Sequence, residues 1–545
     1  MKLNRTPNPL DRNARNGEND NWDIIEGAVK EVKNVVDDFV GTVSDEVINE
    51  LIDNAQFNWR EFVDSYEDLP TNAKNGDTVI TRYDGKVYRF DGSKWVLIQQ
   101  IDINAVNEIE QRLDSKFTQK YEDITSQLDH MDEELKKSYL YEKVYGSLTK
   151  YEKPSEFNMD LPFDVFVSDS GKVSHDYDVS KNKKEVTTRY YVDVVNGDNN
   201  NDGTKDSPFR DLNRAFRYNP VDEIVLKSGV YGWKSGEGNT SRRWKNHSFN
   251  IIGEGDVYLG AHRDEQEWVT VSGRSSVYTT NTTNVTEIVD ITDFESPIFY
   301  EQVNSIDQVE NTINSYYIDG NDIYVRTDYD GPPNGNLLLN LENYSALNLR
   351  EQGKIYCENI KFTNTFTMDN GEFTGELYAK NCDFMIGSSK DALQINGDVY
   401  FELQNCRAMY GDRDGFNYHV KNNKLPQGVE IDCYGAFNGR DGANQNNGST
   451  MHDGGKIIRI GGEYHSNQGP NVIDVNPGTQ SLNIGVHAHN STSTSDLVNV
   501  DFRTRDADMW LVNCVSHDSK YSTSKEGDAN LYVDNSLLLE PDSEL

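Results

Sequence analysis

Asn359-Ile360, Asn381-Cys382, Asn405-Cys406, Asp432-Cys433 and, further on, Asn513-Cys514 mark one recurring position in the second half of the chain. A second column reads Asp391-Ala392-Leu393-Gln394, Asp414-Gly415-Phe416-Asn417, Asp441-Gly442-Ala443-Asn444 and Asp496-Leu497-Val498-Asn499, with Gln468-Gly469-Pro470-Asn471 between the last two. Steps within these columns run mostly from 22 to 29 residues. Such a period fits one coil of a β-solenoid with three short strands, whereas a β-propeller blade needs about 40 residues or more. Coils stacked at the strand spacing of about 4.8 Å lay like residues over one another. Cys382, Cys406 and Cys433 are then expected as a buried ladder, with the Asn and Asp columns in turns. At this spacing about fifteen coils would make a rod roughly 70 Å long.

Working outward, the first coil is expected from Tyr190. Tyr191-Val192-Asp193 leads into Asn196-Gly197-Asp198 and Asn201-Asp202-Gly203-Thr204, then Ser207-Pro208-Phe209, a short helix around Leu212–Phe216 and a strand at Asp222–Leu226. Asp198, Asn200, Asp202 and Gly203 match half of a calcium loop, but Phe209 stands where the bidentate Glu belongs. They read as a structural turn, with bound calcium (Ca2+) as the alternative. Residues of about 262–345 interrupt the coils as a β insertion, in which Tyr316–Ile318 and Ile323–Val325 form a hairpin about Asp319-Gly320. Residues 189–540 thus make the parallel β-helix.

Upstream the period changes. Ile25, Val29, Val32, Val36, Phe39, Val43 and Val47 alternate three- and four-residue steps, the seam of a coiled coil over 23–54. A second seam over 104–140 runs Val106, Ile109, Leu113, Phe117, Tyr121, Ile124, Leu128, Met131, Leu135, with a stutter near Leu113–Tyr121. Between them, residues 55–103 carry three short strands and two Asp-Gly turns, a small antiparallel module. Residues 1–22 form a polar docking arm and residues 141–188 a connector. The expected whole is a mainly β protein, a parallel β-helix on an N-terminal, self-associating coiled-coil stalk.

The 545 residues are 35% hydrophobic, with 30 Tyr, 21 Phe and 41 Gly, a balance that suits turn-rich β-structure. A net charge of −38 disfavours nucleic acid and anionic membranes as partners. No run of about 18 apolar residues predicts membrane insertion. The N-terminus lacks the apolar core of a signal peptide, so synthesis in a cytoplasm and release by lysis or within a particle is expected. The five Cys read as small buried residues rather than a disulfide framework.

Polar groups concentrate in Gly411–Asn490, and six of the ten His lie between His419 and His517. Paired carboxylates roughly 5–10 Å apart can hydrolyse a glycosidic bond. Asp412, Asp414, His419, Asp453 and Glu463 are the candidate catalytic groups, although Asp414 also reads as a repeated turn residue. Tyr410, Tyr418, His452, Tyr464 and His465 are the candidate carbohydrate-binding groups, through ring stacking and hydrogen bonds; Phe416 and Phe437 are further aromatics able to stack on a sugar, and some of these rings must fill the coil core instead. His465, His489 and His517 share a column that would suit a metal ion. It is read here as a polar surface ladder, and no metal ligands are assigned.

The opening Leu3-Asn4-Arg5-Thr6-Pro7, with Arg12–Arg15 and Asn19–Trp22, resembles the N-termini of tail fibre proteins from phages of Gram-positive bacteria. Tyr66–Val96, with Asp68-Leu69-Pro70, Gly76-Asp77, Tyr88, Asp91-Gly92 and Trp95, looks like a module that recurs in such fibres. The body is similar to the pectate-lyase-like β-helices of phage tail spikes, which implies a right-handed parallel β-helix on an N-terminal trimeric coiled-coil stalk. The resemblance implies a homotrimer in the virion, attached to a tail or baseplate protein through its N-terminus. It implies binding or cleavage of host cell-surface polysaccharide, capsule or wall teichoic acid, through the β-helix. The pectinase-type strings Asn-Thr-Asp, Asp-Asp and Gly-His-Gly do not occur within residues 189–540, where Asp414-Gly415-Phe416 and Met451-His452-Asp453-Gly454 are only distant echoes. A non-catalytic binder is therefore the expectation, with a polysaccharide depolymerase as the alternative.

Overall fold

A computed structural model describes residues 58–60, 63–81, 85–100, 148–216, 221–233, 243–244, 248–264, 266–341, 344–351, 353–388, 390–443 and 445–539. The expected arm at 1–22 and the seams at 23–54 and 104–140 lie outside them. The chain divides into two compact units, Met1–Gly146 and Ser147–Leu545.

In the first unit, Asn58–Trp59, Asp77–Ile80, Lys86–Phe90 and Trp95–Gln100 form one four-stranded sheet. The last three strands pair antiparallel, as the Asp-Gly turns demand, while Asn58–Trp59 adds in parallel. Leu69, Val79 and Tyr88 make its small core.

The second unit is a three-faced parallel β-helix. Face A is a ladder of eleven strands from Arg189–Val192 to Asn530–Asp534, paired in parallel throughout. Eleven rungs replace the roughly fifteen expected from length, because residues 265–345 leave the coils. Face B runs through Lys361–Thr363, Asp383–Met385, Arg407–Met409, Tyr434–Ala436, Glu463–His465, His487–His489 and Val515–His517. Face C includes Leu393–Gln404 at its start, then Phe416–His419, Ser449–Met451, Val472–Val475 and Val500–Arg505.

The Asn column is the corner between faces A and B. Asn359, Asn381, Asn405, Asp432, Asn513 and Asn535 all have φ between 45° and 55°. The chain turns there on one left-handed residue, a conformation that Asn, Asp and Gly reach most easily. Gly461 and Gly485, φ 61° and 68°, occupy the same corner in two coils that the Asn pattern skips. Asn381 donates to Asn359 Oδ1 at 3.2 Å, and Asn535 to Asn513 Oδ1 at 2.6 Å, so the corner is a side-chain ladder as well. The next residue points inward, which buries Cys382, Cys406, Cys433 and Cys514; all five cysteines are free.

The Asp column is corrected by the register. Asp391 and Asp414 are equivalent, but the coil beyond Asp414 places Asn447 at that level, because Phe416 pairs with Ser449. Asp441 and Asp496 are exposed residues of longer loops between faces B and C. Asp198 and Asp202 close turns of their own, accepting from the backbone N–H of Asn200 (2.8 Å) and Thr204 (3.2 Å).

Two additions cover the coils. Residues 148–182 lie along the outer side of face A, where Phe157, Met159, Val165, Tyr177 and Val179 pack on Tyr356, Val429, Ile431, Ile458, Ile460, Leu482 and Ile484. This is why face A strands are apolar on both sides. Gln404 and Gln480 clip the strap in place, each meeting a backbone N–H of it at 2.9 Å. The insertion forms a five-stranded sheet containing the expected hairpin, with Tyr316 opposite Val325 and Ile318 opposite Ile323. It seats Val289, Ile291, Phe294 and Leu338 on Met385, Ile386 and Met409 of face B. Among the described residues, no helix is long and apolar enough to cross a membrane.

Candidate functional site

Strand parity decides which candidates reach solvent, because successive side chains point to opposite sides. Tyr418 and Tyr464 are wholly buried inside the β-helix, not exposed as expected. Tyr418 lies two residues after the inward Phe416, and Tyr464 sits between outward Glu463 and His465. Their hydroxyls both donate to Glu430, Tyr418 at 2.7 Å, which gives them a structural task and removes them from any sugar.

Asp412 and Asp414 lie at the corner between faces B and C. Asp412 accepts from Arg440 at 2.5 Å, and Arg440 also holds Glu287 of the insertion at 2.8 Å. Asp414 is buried and accepts from Asn447 through both backbone N–H (2.7 Å) and side chain (3.0 Å). Burial, and then the neighbouring Asp391, push its carboxyl well above the usual range. Asp412 therefore anchors the insertion, and Asp414 fastens one coil to the next.

Three candidates meet on the outer side of face C. His419 stacks on His452 with centroids 4.0 Å apart, and its Nδ1 lies 3.5 Å from Asp453 Oδ2. Burial, followed by the adjacent His419, lowers the pKa of His452 to about 4, so this ring stays neutral.

The remaining three lie on the outer side of face B, where a cleft of about 490 Å³ opens beside the insertion. Glu295, Asn405, Arg407, Met409, Asp432, Tyr434 and Phe437 line it. Tyr410 and Phe437 turn the corner out of face B with φ of 56° and 58°, a strained conformation for aromatic residues. Their rings stack at 5.4 Å and 12°, and Phe437 is 40% exposed. Tyr410 is the inner ring, its hydroxyl donating to the Glu295 carbonyl at 2.9 Å. Arg407, also in the lining, is held by two carboxylates, Asp383 (2.7 and 2.8 Å) and Glu295 (2.6 and 2.9 Å). That guanidinium holds Glu295 below its ordinary pKa.

His465 forms the far rim. Its Nε2 lies 2.5 Å from the Tyr434 hydroxyl and its ring meets Phe437 edge-on at 5.3 Å. Burial raises Tyr434 to about 12, so it remains a phenol that can donate or accept. Glu463 lies beyond, in contact with His489 at 2.8 Å. A rigid aromatic ledge beside fixed charged and hydroxyl groups can stack on an apolar ring face and hydrogen-bond its rim.

Sequence reasoning named Tyr410, Glu463, His465 and, among the aromatics able to stack on a sugar, Phe437; it missed Arg407, Tyr434 and Glu295. Phe437 carried a signal: it follows Tyr410 by 27 residues, one coil, at the same corner. Glu295 had none, because it comes from the insertion.

No family model matches the sequence, and no curated protein matches it. Solved structures similar to the chain include XylC in complex with xylose, at 11% identity and a TM-score of 0.35, covering 64% of this chain and 64% of that one. Pectate lyase Pel9A is similar at 14% identity and a TM-score of 0.29, covering 65% and 80%. ORF18 of Geobacillus virus E2 is similar at 9% identity and a TM-score of 0.19, covering 88% and 74%.

Proposed function

We propose that this chain is the receptor-binding part of a phage tail fibre or spike and binds host cell-surface polysaccharide in the face B cleft. The stacked Phe437–Tyr410 ledge, with the clamped Arg407 in the same cleft, carries the reading. An exposed aromatic platform held in a strained turn takes a flat, partly apolar ring, and a pyranose offers one. The surrounding Tyr434, His465 and Glu295 supply both donors and acceptors for sugar hydroxyls. In this reading the seams at 23–54 and 104–140 make a homotrimer, residues 1–22 attach to a tail or baseplate protein, and the virion leaves its host by lysis.

The test is binding of purified capsule and wall teichoic acid to the full chain. Phe437→Ala is expected to weaken the bound polymer at least about tenfold, the equivalent of about 1.4 kcal/mol. Unchanged affinity would remove the cleft from recognition.

A depolymerase is the second reading, favoured by face C. In this reading His452, neutral and stacked on His419 beside Asp453, would be the proton acceptor. New reducing ends released from the polymer, and lost in Asp453→Asn, would establish cleavage; binding without product would leave the binder alone.

A further inference from the structure

Beyond the cleft, face B carries a second cluster that recognition of a sugar does not need. Strand register sets Glu463 beside His487, and His465, His489 and His517 one above another. All face outward from three successive coils. Ring centroids lie 4.7 Å apart between His465 and His489, 4.6 Å between His487 and His489, and 4.9 Å between His489 and His517.

We propose that Glu463, His487 and His489 bind one divalent transition-metal ion of the zinc class, with His517 as the fourth ligand. One donor atom from each of the first three lies within 4.8 Å of the others. Metal–ligand bonds of about 2.0–2.2 Å put tetrahedral donor atoms about 3.3–3.6 Å apart, so small side-chain rotations close the shell. His489 Nε2 is 2.8 Å from Glu463 Oε1, and His487 Nε2 is 2.8 Å from His517 Nε2.

His517 is oriented for this task. Its Nδ1 donates to Asp518 Oδ2 at 2.7 Å, which leaves the Nε2 lone pair directed at His487. A carboxylate behind an imidazole is the usual outer support of a metal-bound histidine. Three imidazole nitrogens and one carboxylate suit zinc, nickel, cobalt or copper, and do not suit the oxygen-seeking calcium or magnesium. The ion would join three coils, so its binding energy would add to the stability of the stack. The proposal stands independently of the saccharide reading.

Full-length protein without a polyhistidine tag is stripped with EDTA, dialysed against zinc, and its metal content measured. One zinc per chain is expected, with a rise in Tm over the stripped protein. His487→Ala/His489→Ala is expected to abolish both effects, and Glu463→Gln to weaken zinc binding about tenfold or more. His452→Asn, on face C, should keep full uptake. No stoichiometric zinc in the wild type overturns the site. So does full-affinity uptake by folded His487→Ala/His489→Ala or by folded Glu463→Gln, and so does a tetrahedral cobalt spectrum that survives the double substitution.

Discussion

Arg459 is wholly enclosed inside the β-helix, on a strand whose alternate residues point into the coils. Its guanidinium grips Asp474 at 3.0 Å through two nitrogens and donates to Ser449 at 2.9 Å, with Glu430 at 3.9 Å. Removing it would strand two carboxylates in a closed interior. Arg459→Met is therefore expected to cost about 3–5 kcal/mol in chemical denaturation. Asp501, deeper along the same interior, accepts from Asn471 (2.8 Å), Ser516 (2.6 Å) and Ser519 (2.5 Å). Burial dominates these bonds and raises its pKa from 3.8 to about 6. The folded state thus holds this proton more tightly than the unfolded chain, so the contribution is present below about pH 4 and is lost as pH rises through about 6. Asp501→Asn should remove that loss. Relative to the variant, the wild type is expected to fall by roughly 3 kcal/mol between about pH 4 and pH 6 and to stay level above. Such interior charges were not legible as interior: Lys456-Ile457-Ile458-Arg459-Ile460 reads as apolar with two basic residues. Only knowledge that the strap covers face A shows that Ile458 and Ile460 face outward and Arg459 inward. Tyr418 and Tyr464 were misplaced for the same reason, although Glu463-Tyr464-His465 held the clue in its alternation.

At the scale of elements, the corner between faces A and B was the most legible feature, because its geometry restricts residue type. A single left-handed residue turns the chain between the two faces in eight successive coils, and Asn or Asp stands there wherever Gly does not. The coils at Gly461-Gly462 and Gly485-Val486 were missed because Gly meets the same demand without repeating the letter. This equivalence is testable. Gly461→Asn should remain within about 1 kcal/mol of the wild type, since the corner already accepts Asn in neighbouring coils. Gly461→Val should cost about 2 kcal/mol or more, because a β-branched residue resists positive φ; the approach of a Cβ to Asp432 Oδ1, 2.3 Å, is common to both variants and is relieved by turning that exposed carboxylate. Thermal or urea unfolding of the two variants, side by side, checks the order. The loops between faces B and C obeyed no such restriction. Their lengths vary, which carried Asp441 and Asp496 out of the register that spacing alone suggested, and let the insertion deliver Glu295 to the cleft unseen.

The whole chain carries a net charge of −38, and this sets how it meets a polymer. Under the proposed function, an anionic polymer such as teichoic acid would be repelled at long range and held only by short contacts in the cleft. Salt screens the first term and leaves the second largely intact: the Debye length falls from about 30 Å at ~0.01 M to about 8 Å at ~0.15 M. Affinity for an anionic polymer is therefore expected to rise with ionic strength over that range, and affinity for a neutral capsule to stay nearly constant. Arg407 does not reverse this sign, because Asp383 and Glu295 already neutralise it. Titrations of one polymer at several salt concentrations decide the matter. Binding that weakens steadily as salt is added would mean that a cationic surface, not the aromatic ledge, attracts the ligand, and recognition would have to be sought away from the face B cleft.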